Sequence, residues 1–462
     1  MTLPRTPKIG CLSIVISAVL WAVSCDFLEP TTAVLWTDRP EFAIYVAYFN
    51  SSQNQYKVET RYFESPAQKL TDTKEQPDMV IGNWLKSIST RTLFRSLDIL
   101  FKEEHLSKAS FYPRLLSLGN IEDKQYLLPV AFNIPALVFA RNNGQLLSDP
   151  FTVNLEAIKA LGKAYNAGNQ GVYSRMGFSP AWNDAFLFVT ATLFNASFRE
   201  TADQEASAQE TPVKQAPFFK ETLFEGTFLK VLALPKNAPQ ETASLTWDAE
   251  ALEQAMTYIS DWITEANTGI QAEDDFAFKY FYDPPAKLAM SGRILFTYMN
   301  SAEFFTLDQE QQTNLDFRWI AENDIIPLSE DTVYYGIYKK GKAKKAALAF
   351  TQWFFQAETQ RLLLEVSKNH RINETLFGIG NGFSAMRIVT EQIFPQFYPS
   401  LLGHMPPDAF LAPPNILPQN WTILKERVIL SYLRDRIRHT GKDGIRPLEL
   451  RVADWYRVNK SL

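Results

Sequence analysis

The run Leu127–Ala140, LLPVAFNIPALVFA, constrains this chain more than any other stretch, because Asn133 is its only polar residue. It is more than twice as long as an ordinary strand of about five or six residues. Pro135 interrupts it and has no N–H to give to a sheet ladder. A long, broken, buried strand can serve two sheets in turn, so the run is expected to cross between two lobes. With 462 residues the chain is also too long for one simple core.

Strand and helix signals alternate on either side of this crossing. Ala33–Trp36, Tyr56–Phe63 and Pro77–Gly82 read as strands. Thr37-Asp38-Arg39-Pro40 reads as a helix start, followed by Phe42, Tyr45, Val46 and Phe49 at helical spacing. Such alternation argues for a parallel sheet covered by helices. Further on, Leu245–Ala266 reads as an amphipathic helix, and Leu288–Met299 as a strand pair or a strand with a turn at Ser291-Gly292. Asn300-Ser301-Ala302-Glu303 has the capping-box pattern. Ile325–Leu328 and Val333–Tyr338 read as strands, and Lys342–Val366 and Trp421–Arg438 as long helices. Arg199–Ala216, rich in Glu, Gln, Ala, Thr and Ser, reads as an exposed insertion loop.

The first segment carries an address. Arg5 and Lys8 precede an apolar run from Ile9 to Val23, and Ala22-Val23-Ser24-Cys25 closes it. A basic head, an apolar middle and small residues before a cleavage point make a secretory signal. The apolar run falls short of the ~20 residues that a spanning helix needs. Ending on Cys25, it resembles a bacterial lipoprotein signal, in which the Cys thiol takes a diacylglycerol. Residues 1–24 are then the leader, Cys25 is the lipidation site, and the body works outside the cytoplasm, tied to a membrane by lipid. The other cysteine, Cys11, lies within the leader, so the mature body is expected to hold together without disulfides.

Net charge is −5 and becomes more negative once Arg5 and Lys8 are removed. A mildly acidic chain argues against nucleic acid as a partner. The four histidines, His105, His370, His404 and His439, are scattered, so no metal is expected, and no cofactor. Gly378–Gly382 lacks the Lys-Ser/Thr of a phosphate loop. Nothing in the pattern makes a positive case for an enzyme.

The order of these features resembles the bacterial extracellular solute-binding proteins of the sugar-binding type, receptors of ABC importers. Pro77–Gly82 resembles that family's "PDV" strand, and Leu128–Asn143 its hinge strand ending in "YNKD". Leu288–Asn300 resembles "aAM…G.W", although Asn300-Ser301 stands in place of the Trp. Pro327-Leu328 with Gly336–Lys340 resembles "aPLP…G…aISK", although Val333–Tyr335 lacks the usual glycines. Ala346–Leu364 resembles "AAweFlkFl.s.E.Q". The resemblance spans residues 33 to 440. It implies an α/β, two-lobed fold of the type II periplasmic-binding-protein kind with a ligand cleft between the lobes. Lobe 1 would be 25–131 with 335–372 returning to it, and lobe 2 would be 132–334 with 373–462. It further implies a monomer that binds a small polar solute, a sugar above all, by hinge closure and delivers it to ABC permease subunits at the membrane. An alternative is a surface lipoprotein that uses the same fold for interaction rather than transport.

Sugar recognition needs flat apolar faces and planar polar groups that bond paired hydroxyls. Four places put both kinds at the ends of strands, where open α/β sheets bind ligands. They are Trp36 with Asp38 and Arg39, Asn83 with Trp84, Asn133 at the crossing, and Trp182 with Asn183. Asn300, Tyr335 and Trp421 are further candidates. Each also has a plain structural reading: Asp38 as a helix cap, Trp36 as core, Asn133 as a partner of the backbone.

Overall fold

The computed structural model describes residues 31–103, 105–169, 171–202, 243–439 and 444–459. The leader through Cys25, and the 203–216 portion of the polar insertion, lie outside the described residues. Twelve strands carry the fold described below. They are β1 Thr32–Thr37, β2 Lys57–Tyr62, β3 Met79–Gly82, β4 Leu128–Phe132, β5 Pro135–Ala140, β6 Thr152–Val153, β7 Arg199–Ala202, β8 Ala243–Thr246, β9 Phe296–Asn300, β10 Leu315–Ile320, β11 Val333–Ile337 and β12 Phe383–Ser384.

Two sheets result. The first has the order β12-β4-β11-β3-β1-β2, and the second β9-β5-β10-β6. In the first, β1 runs parallel to both β2 and β3, while β11 is antiparallel to β3 and β4. In the second, β5 is antiparallel to β9 and β10. The run 127–140 is therefore the expected crossing: β4 belongs to one sheet, β5 to the other, and every residue of both strands is buried. Pro135 sits at the first position of β5, where a missing N–H costs no ladder bond in mid-strand. A second crossing leads from β10 to β11. Pairing also puts 333–334 and 383–384 in the first sheet, although the sequence reading assigned them to the second lobe.

Helices pack on these sheets largely as read. Phe42, Tyr45, Val46 and Phe49 are the buried face of helix Phe42–Ser52. That helix begins later than the Thr37–Pro40 signal suggested, because Thr37 Oγ1 accepts the Arg39 N–H and holds 37–40 in a turn. The segment 288–299 is a helix, Pro285–Met290, followed by β9, rather than two strands: Pro285 opens the helix and Gly292, at φ +67°, turns the chain out of it. The reading of one helix over 342–366 becomes two, Lys344–Phe354 and Ala357–Asn369. The break lets the adjacent residues Phe354 and Phe355 both enter the core, whereas neighbours on a continuous helix point about 100° apart. Arg199–Ala202, read as loop, is a strand paired with β8. Leu245, read as helix, lies in β8, and Asp248 caps the helix that starts at Ala249.

The apolar cores do not stop at the lobe boundary. Trp36, Val80, Trp84 and Leu85 from the β1–β3 region share one cluster with Phe186, Trp262, Trp421 and Leu424. Trp421 opens a C-terminal helix that passes through a π-turn at Lys425–Ile429 and ends at Arg438.

Candidate ligand site

Parallel pairing of β1 and β3, with Thr37 opposite Ile81, brings the carboxyl ends of both strands to one edge of the first sheet. Asp38 and Arg39 leave one strand there, and Asn83 and Trp84 the other. Gly82 permits the approach: a Cβ on it would lie 2.6 Å from Pro66 Cγ and 3.2 Å from the Asp38 carboxylate. Asn83 is bonded from both directions. Its N–H donates to Asp38 Oδ2 at 3.4 Å, and its Oδ1 accepts from Arg39 Nη2 at 2.7 Å.

This corner has too many acceptors. Asp38 Oδ1 lies 3.2 Å from Arg39 Nε but without hydrogen-bond alignment, and no donor reaches it. Glu41 is buried, and neither of its carboxylate oxygens has a donor. Asp331, on the second crossing, has a buried oxygen in the same state. Burial pushes all three carboxyls up, while Arg39 alone among the neighbouring cations pulls on all three. Three buried carboxyl groups around one guanidinium are short of N–H and O–H donors, and buried polar atoms ordinarily find partners. A solute rich in hydroxyls would supply them.

The second lobe builds a different surface. Asn183 caps helix Asp184–Leu193 by accepting the Phe186 N–H at 3.1 Å. Trp182, half-buried, stacks on Phe276 with ring centroids 5.5 Å apart. Tyr280 also packs on Phe276, with ring centroids 4.9 Å apart. These rings line a cavity of about 270 Å³ with Asn183, Phe281 and Tyr298. The aromatic surface continues outward, since Phe281 and Tyr282 are 75% and 94% exposed. Underneath, fully buried Glu273 fixes the turn that carries Trp182. Its carboxylate accepts from Ser179 Oγ, from the Ala181 N–H at 3.2 Å and from Asn267 Nδ2 at 2.6 Å. Desolvation outweighs those bonds and pushes its carboxyl up to about 7.

Several expected residues have other work. Trp36 is fully buried against Phe63. Tyr335 is core, its hydroxyl bonded to Thr351 Oγ1 at 2.5 Å. Trp421 is buried between Phe188 and Phe198. Asn133 spends both ends of its amide internally, on the Asn381 carbonyl and the Ser301 hydroxyl. Asn300 is the N-cap of helix Ser301–Phe305, with the full capping box. Trp84 is 9% exposed, and its indole N–H donates to Thr422 Oγ1 at 3.1 Å, joining the lobes. Its φ of +61° is costly for a bulky side chain. Thus Asp38, Arg39 and Asn83 come together in one corner, Trp182 and Asn183 in another, and the remaining six are structural.

The sequence reading missed Glu41, Asp331, Glu273 and the Tyr280–Tyr282 aromatics. The last carried a usable signal: FAFKYFY, 276–282, crowds five large rings into seven residues just before Asp283-Pro284. It also missed Lys86. This side chain is buried with no hydrogen-bond partner, its Nζ 4.6 Å from the centre of the Tyr334 ring. Burial brings its amine down to about 7.

No protein-family model matches the sequence, and no curated protein does. Solved structures do match over nearly the whole length. An ABC substrate-binding protein from Listeria monocytogenes in complex with cycloalternan is similar at 13% identity and TM-score 0.55, over 94% of this chain and 99% of that one. The cyclic alpha-maltosyl-1,6-maltose binding protein from Arthrobacter globiformis gives 15% identity and TM-score 0.54, over 94% and 98%. The maltotriose binding protein of Thermus thermophilus, bound with maltotriose, gives 13% and 0.52, over 92% and 99%. At these identities the likeness shows the fold: the chain has the two-lobed architecture of these binding proteins.

Proposed function

We propose that this chain is an extracytoplasmic solute receptor that binds an oligosaccharide between its lobes. It is held to the membrane by lipid on Cys25 and delivers the solute to the permease subunits of an ABC importer. Its chemistry is capture and hinge closure, with no bond made or broken. Residues 25–131 with 335–372 form the first lobe, apart from the strand positions reassigned above, and the rest of the body forms the second. The observation that carries the reading is the aromatic cavity of Trp182, Phe276 and Tyr280, extended outward by Phe281 and Tyr282. Such faces suit the C–H surface of successive pyranose rings. The donor-poor carboxylates around Arg39 suit their hydroxyls. Titration of the purified body with maltodextrins, mannan oligosaccharides and cyclic glucans, read by tryptophan emission and thermal shift, tests it. A saturable response is expected for at least one class, and none from folded protein would sink the sugar reading.

A second reading, a surface lipoprotein used for interaction, draws on the seal between the lobes. The Trp84 bond to Thr422, the Ile88 N–H donating to Glu200 at 2.7 Å and the shared apolar cluster join the lobes without any solute. Small-angle scattering with and without sugar separates the two: a receptor changes its radius of gyration on binding, whereas a sealed interaction protein keeps it.

A further inference from the structure

The loop after β11 is the densest charge in the chain: Lys339, Lys340, Lys342, Lys344 and Lys345 fall within seven residues of a protein whose net charge is −5. All but Lys344 are exposed, and none of the five enters an ion pair among the described residues. The loop is held rigidly. Asp78 accepts the Ala343 N–H at 2.8 Å through one carboxylate oxygen and the Val34 N–H at 2.9 Å through the other. Gly341 allows this closeness, since a Cβ there would come within 2.9 Å of Asp78 Cα. One side chain thus ties the lysine loop to the start of β1. Thr32, Lys74, Lys340 and Lys342 consequently line one surface hollow of about 370 Å³.

Thr32 opens β1, and Cys25 lies seven residues before it. Seven residues span at most ~25 Å when fully extended. Whatever lipid Cys25 carries, the face of the molecule around Thr32 is the one held nearest the membrane. Strand β1 runs from that face to Asp38, so the candidate ligand corner lies at the other end of the sheet.

We propose that the lysine face formed by Lys74, Lys340, Lys342 and Lys345 docks on the anionic headgroups of the membrane that the tether leads to. It acts as a second, electrostatic anchor beside the lipid. The lipid supplies the attachment, and a basic patch beside it sets which face lies against an anionic surface. Docked this way, the molecule turns its ligand corner toward arriving solute, and hand-over to a permease requires the lysine face to let go of the bilayer. The inference rests on the lipid-anchor reading for its geometry, and the test separates the two.

The full chain is reconstituted with vesicles of phosphatidylcholine alone or mixed with phosphatidylglycerol, and its lysines are labelled with an amine-reactive reagent. Flotation with the neutral vesicles reports the lipid anchor. Protection of Lys339–Lys345 with the anionic vesicles alone, lost when salt is raised, reports the docking face. Lys279 and Lys287, exposed on the second lobe, should label equally in both. The variant K340E/K342E/K345E changes only exposed side chains; it should float normally yet lose the protection. Full flotation with equal labelling of Lys339–Lys345 in both vesicles would overturn the docking face and leave the anchor standing. Failure to float on neutral vesicles, with protection still seen on anionic ones, would overturn the anchor and support the face. Protection that appears only when an acidic protein partner is added would replace lipid by protein as the occupant.

Discussion

In the first-lobe corner, Arg39 pulls on the carboxyls of Asp38, Glu41 and Asp331, and each of the three has a buried oxygen without a donor. On the second-lobe side, Trp182, Phe276 and Tyr280 stack around a cavity whose polar needs are already met from below by Glu273. One half offers direction and the other offers area. Hydrogen bonds to buried carboxylates discriminate among hydroxyl patterns, because an unmatched group stays desolvated and unpaired. Stacking on aromatic faces tolerates many sugars and supplies affinity. Loss of an aromatic should therefore weaken every ligand, whereas loss of a carboxylate should change which ligand is preferred.

The two lobes also store charge with opposite sign, and pH pulls them apart. Lys86 of the first lobe keeps its proton only below about pH 7. The unfolded chain holds that proton to about 10.4, so it binds more protons than the fold between those values. Stability then rises with pH from about 7 to 10.4, by up to about 5 kcal/mol if this group acts alone. Lys86→Met should flatten that rise in denaturant titrations taken across the alkaline range. An unchanged slope would mean that the amine is solvated.

Glu273 of the second lobe behaves in reverse. Burial holds its folded carboxyl at about 7 against the ordinary 4.5 of a glutamate, so the fold retains a proton that the unfolded chain has released. Stability contributed below pH 4.5 is lost as pH rises toward 7, about 3 kcal/mol in all. Glu200, raised to about 7 as well, slopes the same way. Glu273→Gln should remove most of the acid-side slope while keeping Trp182 in place. Glu273→Ala should in addition strand Ser179, Asn267 and the Ala181 N–H, and destabilise by about 3 kcal/mol. Equal slopes in the parent and the Gln variant would assign the acid-side loss to Glu200 and the first-lobe carboxyls instead.

Trp182→Ala tests the aromatic half. A ring stacked on sugar and on Phe276 is worth about 1.5 kcal/mol, so the dissociation constant for any bound oligosaccharide should rise about tenfold. Unfolding should move little, because Trp182 is only half-buried. Asp38→Asn is the counterpart: affinity for the best sugar should fall while that for a poorer one holds. A uniform loss in both variants would erase the division of labour.

What could be read from sequence follows the same division. Periodicity and cap chemistry exposed the crossing at Leu127–Ala140, the buried face Phe42, Tyr45, Val46 and Phe49, and Asp38, Arg39 and Asn83 at two separate strand ends, because each signal is local; that the two ends share one corner follows only from the pairing of β1 with β3. Glu41, Asp331 and Glu273 were invisible, because a lone acid among polar neighbours looks solvated until the fold buries it. Trp36, Trp84 and Trp421 misled for the opposite reason. A Trp beside a turn residue looks like a stacking platform, and only tertiary packing turns all three into core, Trp36 on Phe63 and Trp421 on Phe188 and Phe198 within a lobe and Trp84 across to Thr422.

Asn300 is the finest test of that lesson, because its position at the end of β9 suits a ligand contact and its geometry suits a cap. Its Oδ1 accepts the Glu303 N–H at 2.9 Å, and Glu303 returns the bond to the Asn300 N–H at 2.7 Å. Both groups are committed to the first turn of a helix that also buries Phe304 and Phe305. Asn300→Ala should therefore cost about 1 kcal/mol of stability and leave sugar affinity unchanged, and Asn300→Asp, which keeps the accepting oxygen, should restore most of the loss. Were affinity to fall in the Ala variant while stability held, Asn300 would belong to the aromatic half of the site, and the line between structural and ligand-facing residues would move one strand outward.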